Sequence, residues 1–431
     1  MSNNIPLFIA FRLLFNARFY YPIFAVLQLD YGLTMEQFAL LNFVWAVSIV
    51  LLEVPSGALA DKIGRKRMVV AAAILMVLEM ALIAFVPLGN TTLVFWAWVL
   101  NRVLSGAAEA AASGADEALA YDSLPEGNRE AQWPKVLANL MRLSSIAFVF
   151  AMLLGAAIYD PSFVNRLFGT LGFDLQVTKQ QTLRFPVYLT LFTGCLALLV
   201  SLSMKEPPQD SHHGGETTLW SGIFRAAAWV WRTPLVFAII LAALIHDSIV
   251  RLFLTLNSEY YRLIKIPDAA FGVLGAVFAA LGIITPGIAK RLVEKQPITR
   301  NYLIVSVLCL IGLLISAQAI PYYGVVVLLI FSFAFGFLNF FTSHYLNAQV
   351  DSYHRATVLS FRGLALNIGF GTLSLAYGFL LHELGDTSHT QNTTAFRESL
   401  HWFAPTFLVM LVPLFLYYLV FVKKTSQVKM P

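Results

Sequence analysis

Twelve ionisable side chains stand inside long apolar stretches of this sequence, where a charge has little water to solvate it. The basic ones are Arg12, Arg18, Arg102, Arg142, Arg251 and Arg362, and the acidic ones are Glu53, Glu79, Glu109, Asp116, Glu117 and Asp247. An ionised group at bilayer depth costs about 2.5–3.5 kcal/mol on insertion scales, so each needs a partner or a wet cavity. Arginine stays charged and presents a planar fork, suited to a fixed ion pair or to two-point contact with carboxylate or phosphate. A carboxyl can also release and regain a proton. Arg102, Glu109 and Asp116 recur every seven residues and fall nearly along one helix face, with Ser105, Gly106 and Ser113 on the same stripe. Glu109, near the middle of its apolar stretch, is the expected proton-exchanging acid, with Arg102 as its modulating partner and Glu79 as a second protonation candidate. A static salt bridge packing one helix against a neighbour is the competing reading of Glu109.

The elements that must position these groups follow from composition. Of 431 residues, 58% are hydrophobic and 12% charged, with a mean hydropathy of +0.72. Soluble domains carry about 25% charged residues, so the solvent for most of this surface is lipid. Crossing a hydrocarbon core of about 30 Å takes roughly 20 helical residues, and runs of that kind fall at 5–29, 35–60, 67–87, 92–121, 131–159, 186–204, 235–261, 268–289, 300–319, 322–350, 355–383 and 399–422. Only helices and closed barrels satisfy the backbone in lipid, and these runs are too long and apolar for barrel strands. The expected fold is all-α, with twelve transmembrane helices and a multi-pass location in the cell (inner or plasma) membrane. The run from Ile5 reads as the first span rather than a cleaved leader, since it contains Arg12 and Arg18. Lys and Arg concentrate in alternate loops, which puts both termini in the cytoplasm. That distribution also accounts for the net charge of +5 without nucleic acid. Cys195 and Cys309 read as small buried side chains rather than a disulfide.

The longest connection, 205–234, separates six spans in 1–204 from six in 235–431. It opens polar, with Pro207, Pro208, His212 and His213, and continues as an amphipathic stretch from Leu219 to Trp231 that suits a membrane surface. The paired histidines read as part of a linker rather than a metal site. The halves echo one another weakly: Asp61 to Arg67 (DKIGRKR) against Lys290 to Lys295 (KRLVEK), and Val136 with Arg142 against Val358 with Arg362. Two pseudo-symmetric six-helix bundles around a central site would carry such echoes.

The segment Gly57, Asp61, Gly64, Arg65 to Arg67 resembles the signature between the second and third spans of the major facilitator superfamily of secondary transporters. In physical terms, Gly57 permits close helix approach, Gly64 makes a turn, and the basic run holds the loop in the cytoplasm. Arg102 to Gly106 is similar to that family's Arg-x-x-x-Gly motif on the fourth span. The resemblance implies a conformational latch of Asp61, Arg65 and Asp122. Lys290, where a second copy of the signature would carry aspartate, argues against a twin latch. It also implies that spans one, four, seven and ten line a central cavity. Polar residues on those spans are therefore candidates for the substrate cavity: Arg18, Asn16 and Tyr20 on the first, Asp247 and Arg251 on the seventh, Asn339, Ser343 and Asn347 on the tenth, with Arg142 on the fifth.

The implied activity is movement of a small solute by alternating access, coupled to protons, with six buried arginines leaning towards an anionic or zwitterionic organic substrate. A facilitative uniporter, a sodium-coupled carrier and a non-transporting receptor are the alternatives. No metalloprotease, nucleophile-elbow or phosphate-loop motif appears, so no enzyme, metal or cofactor is expected. The expected partners are the solute, protons and the bilayer, with the chain acting as a monomer.

Overall fold

Apolar runs of this length become helices because a helix closes its own backbone hydrogen bonds where lipid offers none. The computed structural model describes residues 4–125, 127, 129–174, 176–206, 221–350, 352–385 and 389–422. It contains α1 (Asn4–Asn16), α2 (Phe24–Asp30), α3 (Met35–Ile63), α4 (Arg65–Phe85), α5 (Thr91–Ala112), α6 (Ala115–Asp122), α7 (Arg129–Tyr159), α8 (Pro161–Thr170) and α9 (Lys179–Thr182). These are followed by α10 (Phe185–Ser203), α11 (Ser221–Arg232), α12 (Pro234–Thr255), α13 (Asn257–Leu263), α14 (Phe271–Lys295), α15 (Ile298–Ser316), α16 (Val326–Gln349), α17 (Ser352–Glu383) and α18 (His389–Tyr417). No strand occurs among the described residues.

Ten stretches of the described residues are long and apolar enough to cross a membrane. The expected first and fourth spans are not among them. Each is broken: the first into α1, a turn of 3₁₀ helix at Tyr21–Ile23 and α2, the fourth into α5 and α6. The fourth breaks at Gly114, whose φ of 75° lies in the left-handed region that glycine adopts without a Cβ penalty. The spans that carry the most polar side chains are thus the ones that do not run straight.

The chain forms two compact units, 1–33 with 44–216 and 267–277, and 34–43 with 217–266 and 278–431. In the first, Phe11, Phe15, Met68, Val69, Ala72, Met76, Ala108, Ala111 and Ala197 form a buried core between α1, α4, α5 and α10. Its many alanines let helices approach where no hydrophobic drive separates protein from lipid. The outward faces are apolar instead of charged. Tyr188, Phe192, Cys195, Leu199 and Leu202 make one exposed stripe along α10 at spacings of three and four, so Cys195 faces outward, contrary to the sequence expectation, while Cys309 is buried. The described part of the amphipathic stretch forms helix α11; Pro207, Pro208, His212, His213, Leu219 and Trp220 lie outside the described residues.

Candidate functional site

Arg18 sits in the break of the first span, not on a helix. Asn16 ends α1, Ala17 and Arg18 lie in no helix, and Pro22, which has no N–H to give a continuing α-helix, sits in the turn of 3₁₀ helix that follows. An unwound segment frees backbone groups that neighbours must satisfy. Two threonines of α10 do this: Thr190 Oγ1 accepts from the Phe19 backbone N–H (3.1 Å), and Thr193 Oγ1 donates to the Ala17 carbonyl (3.4 Å). On the other side α7 presses against the break at Gly155, where a Cβ would lie 1.8 Å from the Phe19 carbonyl oxygen. Hydrogen bonds and a glycine contact together hold the break open.

From this break Arg18 forms an ion pair with Glu79 of α4, both side chains closed to solvent. Its Nη2 stands 3.9 Å from Glu109 of α5, whose side chain is 32% exposed. Three spans therefore meet at one guanidinium flanked by two carboxylates, one sealed and one open. The sequence pairs Glu109 with Arg102; the structure brings Arg18 to it instead. Arg102 donates to its neighbour Asn101 Oδ1 (2.8 and 3.1 Å), stacks over Phe24 and Trp98, and reaches Tyr20. Asn101 in turn donates to the Glu79 carbonyl at 2.8 Å. Beyond the break at Gly114, Asp116 turns to Arg12, which also reaches Glu117 at 3.3 Å. The seven-residue stripe is thus divided between two helices and two arginines. Counting Arg18, Arg102, Glu79 and Glu109, this cluster is charge-balanced when both glutamates are ionised.

The second unit holds another charged group. Asp247 and Arg251 form an ion pair one turn apart on α12, and Arg251 also donates to Asn367 of α17 at 2.9 Å. His246 beside them is fully buried, bonded to the Ala242 carbonyl and to Ser306 at 2.7 Å each. Three of the other cavity candidates are bonded within their own helices. Asn339 donates to the Phe335 carbonyl, Asn347 to the Ser343 carbonyl, and Arg142 to Asn139. Asn16, Arg142, Ser343 and Asn347 are exposed.

At the signature loop Gly64 turns the chain with φ 102°, and Arg65 joins Asp122 of α6 in an ion pair while donating to the Ala118 carbonyl. Arg129 approaches Asp122 at 4.0 Å. The Asp61 side chain lies outside the described residues. Gly57 does not make the close helix approach expected of it, for a Cβ there would meet nothing within 4 Å. Gly106 makes one instead, against Ser48 and the Ile49 backbone of α3. Sequence reasoning did not single out Asn101, Asn367 or Glu206, the last of which accepts from the Arg65 and Lys66 N–H groups. It also missed the break around Arg18, although Pro22, just beyond Arg18 and two tyrosines, was its signal.

The profile of the Major Facilitator Superfamily matches residues 7–372. The chain belongs to this superfamily. Its members are membrane transporters of small molecules rather than enzymes. Solved structures within the superfamily's fold agree in architecture. A mutant of the nucleoside transporter NupG superposes with a TM-score of 0.70 at 14% identity, over 94% of this chain and 98% of the other. A bacterial homolog of the human lysosomal transporter Spinster, in an inward-facing and unoccupied conformation, gives 0.70 at 17% identity over 97% of each. A D-xylose-proton symporter gives 0.65 at 12% identity over 94% and 96%. At these identities the likeness is one of fold. No curated protein sequence gives a significant match.

Proposed function

We propose that this superfamily member is a proton-coupled secondary transporter of a small anionic or zwitterionic organic solute, working by alternating access, with Glu109 as the coupling acid. The reading takes twelve spans in two six-helix bundles, 1–204 and 235–431, joined by the linker 205–234. Both termini lie in the cytoplasm, and the chain acts as a monomer in the cell membrane. Arg65 and Asp122, with Asp61, act as the conformational latch.

The observation that carries the coupling is Arg18 between sealed Glu79 and open Glu109. Glu79 is committed to the guanidinium, so protonating it would break a buried pair. Glu109 is farther from the charge and partly open, so a proton can reach it without dismantling the cluster. With Glu109 ionised the four-residue cluster is neutral; with Glu109 protonated it carries one positive charge. A proton taken up there therefore raises affinity for an anion, which is the linkage that symport requires. The D-xylose-proton symporter among the structural neighbours is named as a proton-coupled carrier, which is compatible with the reading.

The test is uptake into proteoliposomes with an entrapped pH dye, using a panel of labelled organic acids, amino acids and amines. Gradient-driven accumulation with accompanying proton entry, lost in Glu109→Gln while counterflow exchange survives, is the expected result. Accumulation that ignores the pH gradient, or a Glu109→Gln protein that still accumulates solute, moves the assignment to uniport or another coupling ion.

A further inference from the structure

We propose that Arg362, backed by Arg251, is the docking point for the carboxylate of an organic monoanion and sets the charge selectivity of transport. The assignment rests on the transporter reading above and concerns groups of the second unit alone.

Asp247 is the only carboxylate in α12, α15 and α16, and the one acid of α17, Glu383, closes its far end. Two arginines, Arg251 on α12 and Arg362 on α17, share that single aspartate, which leaves one positive charge over. Arg251 is fully engaged: Asp247 on one side, Asn367 Oδ1 at 2.9 Å on the other, and the Phe370 ring 5.2 Å beneath the guanidinium. Its orientation is therefore fixed. Arg362 lies within electrostatic reach of Asp247, Arg251 and Tyr302, yet its Nε is buried and has no hydrogen-bond partner among the described residues. The Tyr302 hydroxyl is occupied with Thr342 at 3.0 Å.

A buried guanidinium N–H left unbonded carries a desolvation cost, which an acceptor removes once the half-exposed Arg362 side chain turns that N–H towards it. A carboxylate matches the fork in geometry and cancels the excess charge. A cation would meet two arginines, and a neutral solute would leave the excess charge uncompensated. A zwitterion needs an acceptor for its ammonium, but Asp247 is already held by Arg251. Among these solute classes, a monoanion satisfies the group best.

The experiment is thermal unfolding of the detergent-solubilised full chain against a panel of monocarboxylates. Each is matched with its uncharged methyl ester, and amino-acid zwitterions and quaternary amines are included. The expected result is stabilisation by at least one carboxylate and not by its ester. Arg362→Gln weakens that binding about tenfold or more, as losing a charge-assisted hydrogen bond requires, while Arg362→Lys retains part of it. Arg166→Gln, on an exposed arginine of α8, leaves it unchanged. Stabilisation only by esters, zwitterions or amines, no stabilising carboxylate at all, or carboxylate binding unaltered in Arg362→Gln overturns the assignment. Should Arg362→Gln not fold, Arg362→Lys and the acid–ester comparison on the natural protein decide the matter. Glu109→Gln separates the two proposals. If it keeps gradient-driven uptake of an anion that Arg362→Gln cannot bind, proton coupling at Glu109 fails and the anion site stands.

Discussion

Arg18 donates to Glu79 from an unwound turn of the first span, and the two side chains are 2% and 0% exposed. A buried pair of this kind is worth little against a well-packed apolar replacement, because both ions lose their water. Losing one partner is another matter, since it strands the other charge, at about 3–5 kcal/mol. Arg18→Met and Glu79→Leu singly are therefore expected to lower thermal stability sharply, and the double variant to recover most of it. The double variant is still expected to fail in transport, because Glu109 has lost its nearest cation. Unfolding in detergent and uptake in proteoliposomes, measured on the same three proteins, check both halves.

Gly155 supplies a sharper steric test. A Cβ there would meet the Phe19 carbonyl oxygen at 1.8 Å, whereas one at Gly169, exposed on α8, would meet nothing within 4 Å. Gly155→Ala must push α7 away from the break and is expected to reduce folded yield and melting temperature. Gly169→Ala is expected to be neutral or stabilising by up to about 1 kcal/mol, the helix-propensity gain over glycine. Equal effects of the two would mean that α7 does not buttress the break.

Much of this was legible in the sequence because hydropathy is additive along a helix. Runs such as Pro234–Thr255 and Arg65–Phe85 announce themselves by length and apolarity, and the signature residues Gly64 and Arg65 by spacing. What was not legible depends on three-dimensional partners. Arg18, Glu79 and Glu109 lie far apart in the chain, and periodicity within the fourth span pointed to Arg102 because it could compare only residues of one helix. The break at Gly114 divides that periodicity, and a lone glycine in an alanine-rich helix is a weak signal. Gly57 shows the converse: a family motif can mark a place without the close contact it suggests.

Lys179 lies 2.9 Å from Asp268 and 3.5 Å from Asp30, and its ammonium sits 3.4 Å from the centre of the Tyr159 ring. It ties the connection before α10 to the ends of α2 and α7 and to the start of α14. The lysine is 36% exposed, so solvent screening limits each pair to about 1 kcal/mol or less. Lys179→Met is expected to cost little global stability but to speed amide exchange in residues 268–270 several-fold. The difference should shrink in 1 M salt, where the Debye length falls to about 3 Å. Exchange that is unchanged at low salt would show that these contacts do not hold the segment.

Glu206 closes the signature loop in a way that a double-mutant cycle can measure. Its carboxylate accepts from the backbone N–H groups of Arg65 (2.9 Å) and Lys66 (2.8 Å), the first residues of α4, where a negative charge also meets the positive end of the helix dipole. Glu206→Ala removes this cap and is expected to cost about 1 kcal/mol. Gly64 has φ 102° and ψ 145°, a conformation reserved essentially for glycine, so Gly64→Ala is expected to cost about 1–3 kcal/mol in strain. An added Cβ would also lie 2.9 Å from a Glu206 carboxylate oxygen, so the alanine must displace the cap it sits beside. Once Glu206 is gone, that part of the penalty has nothing left to act on. The double variant is therefore expected to be less destabilised than the sum of the two, by about 0.5 kcal/mol or more, as for residues in direct contact. Strict additivity in thermal unfolding would mean that Glu206 does not cap α4 in the membrane-embedded protein.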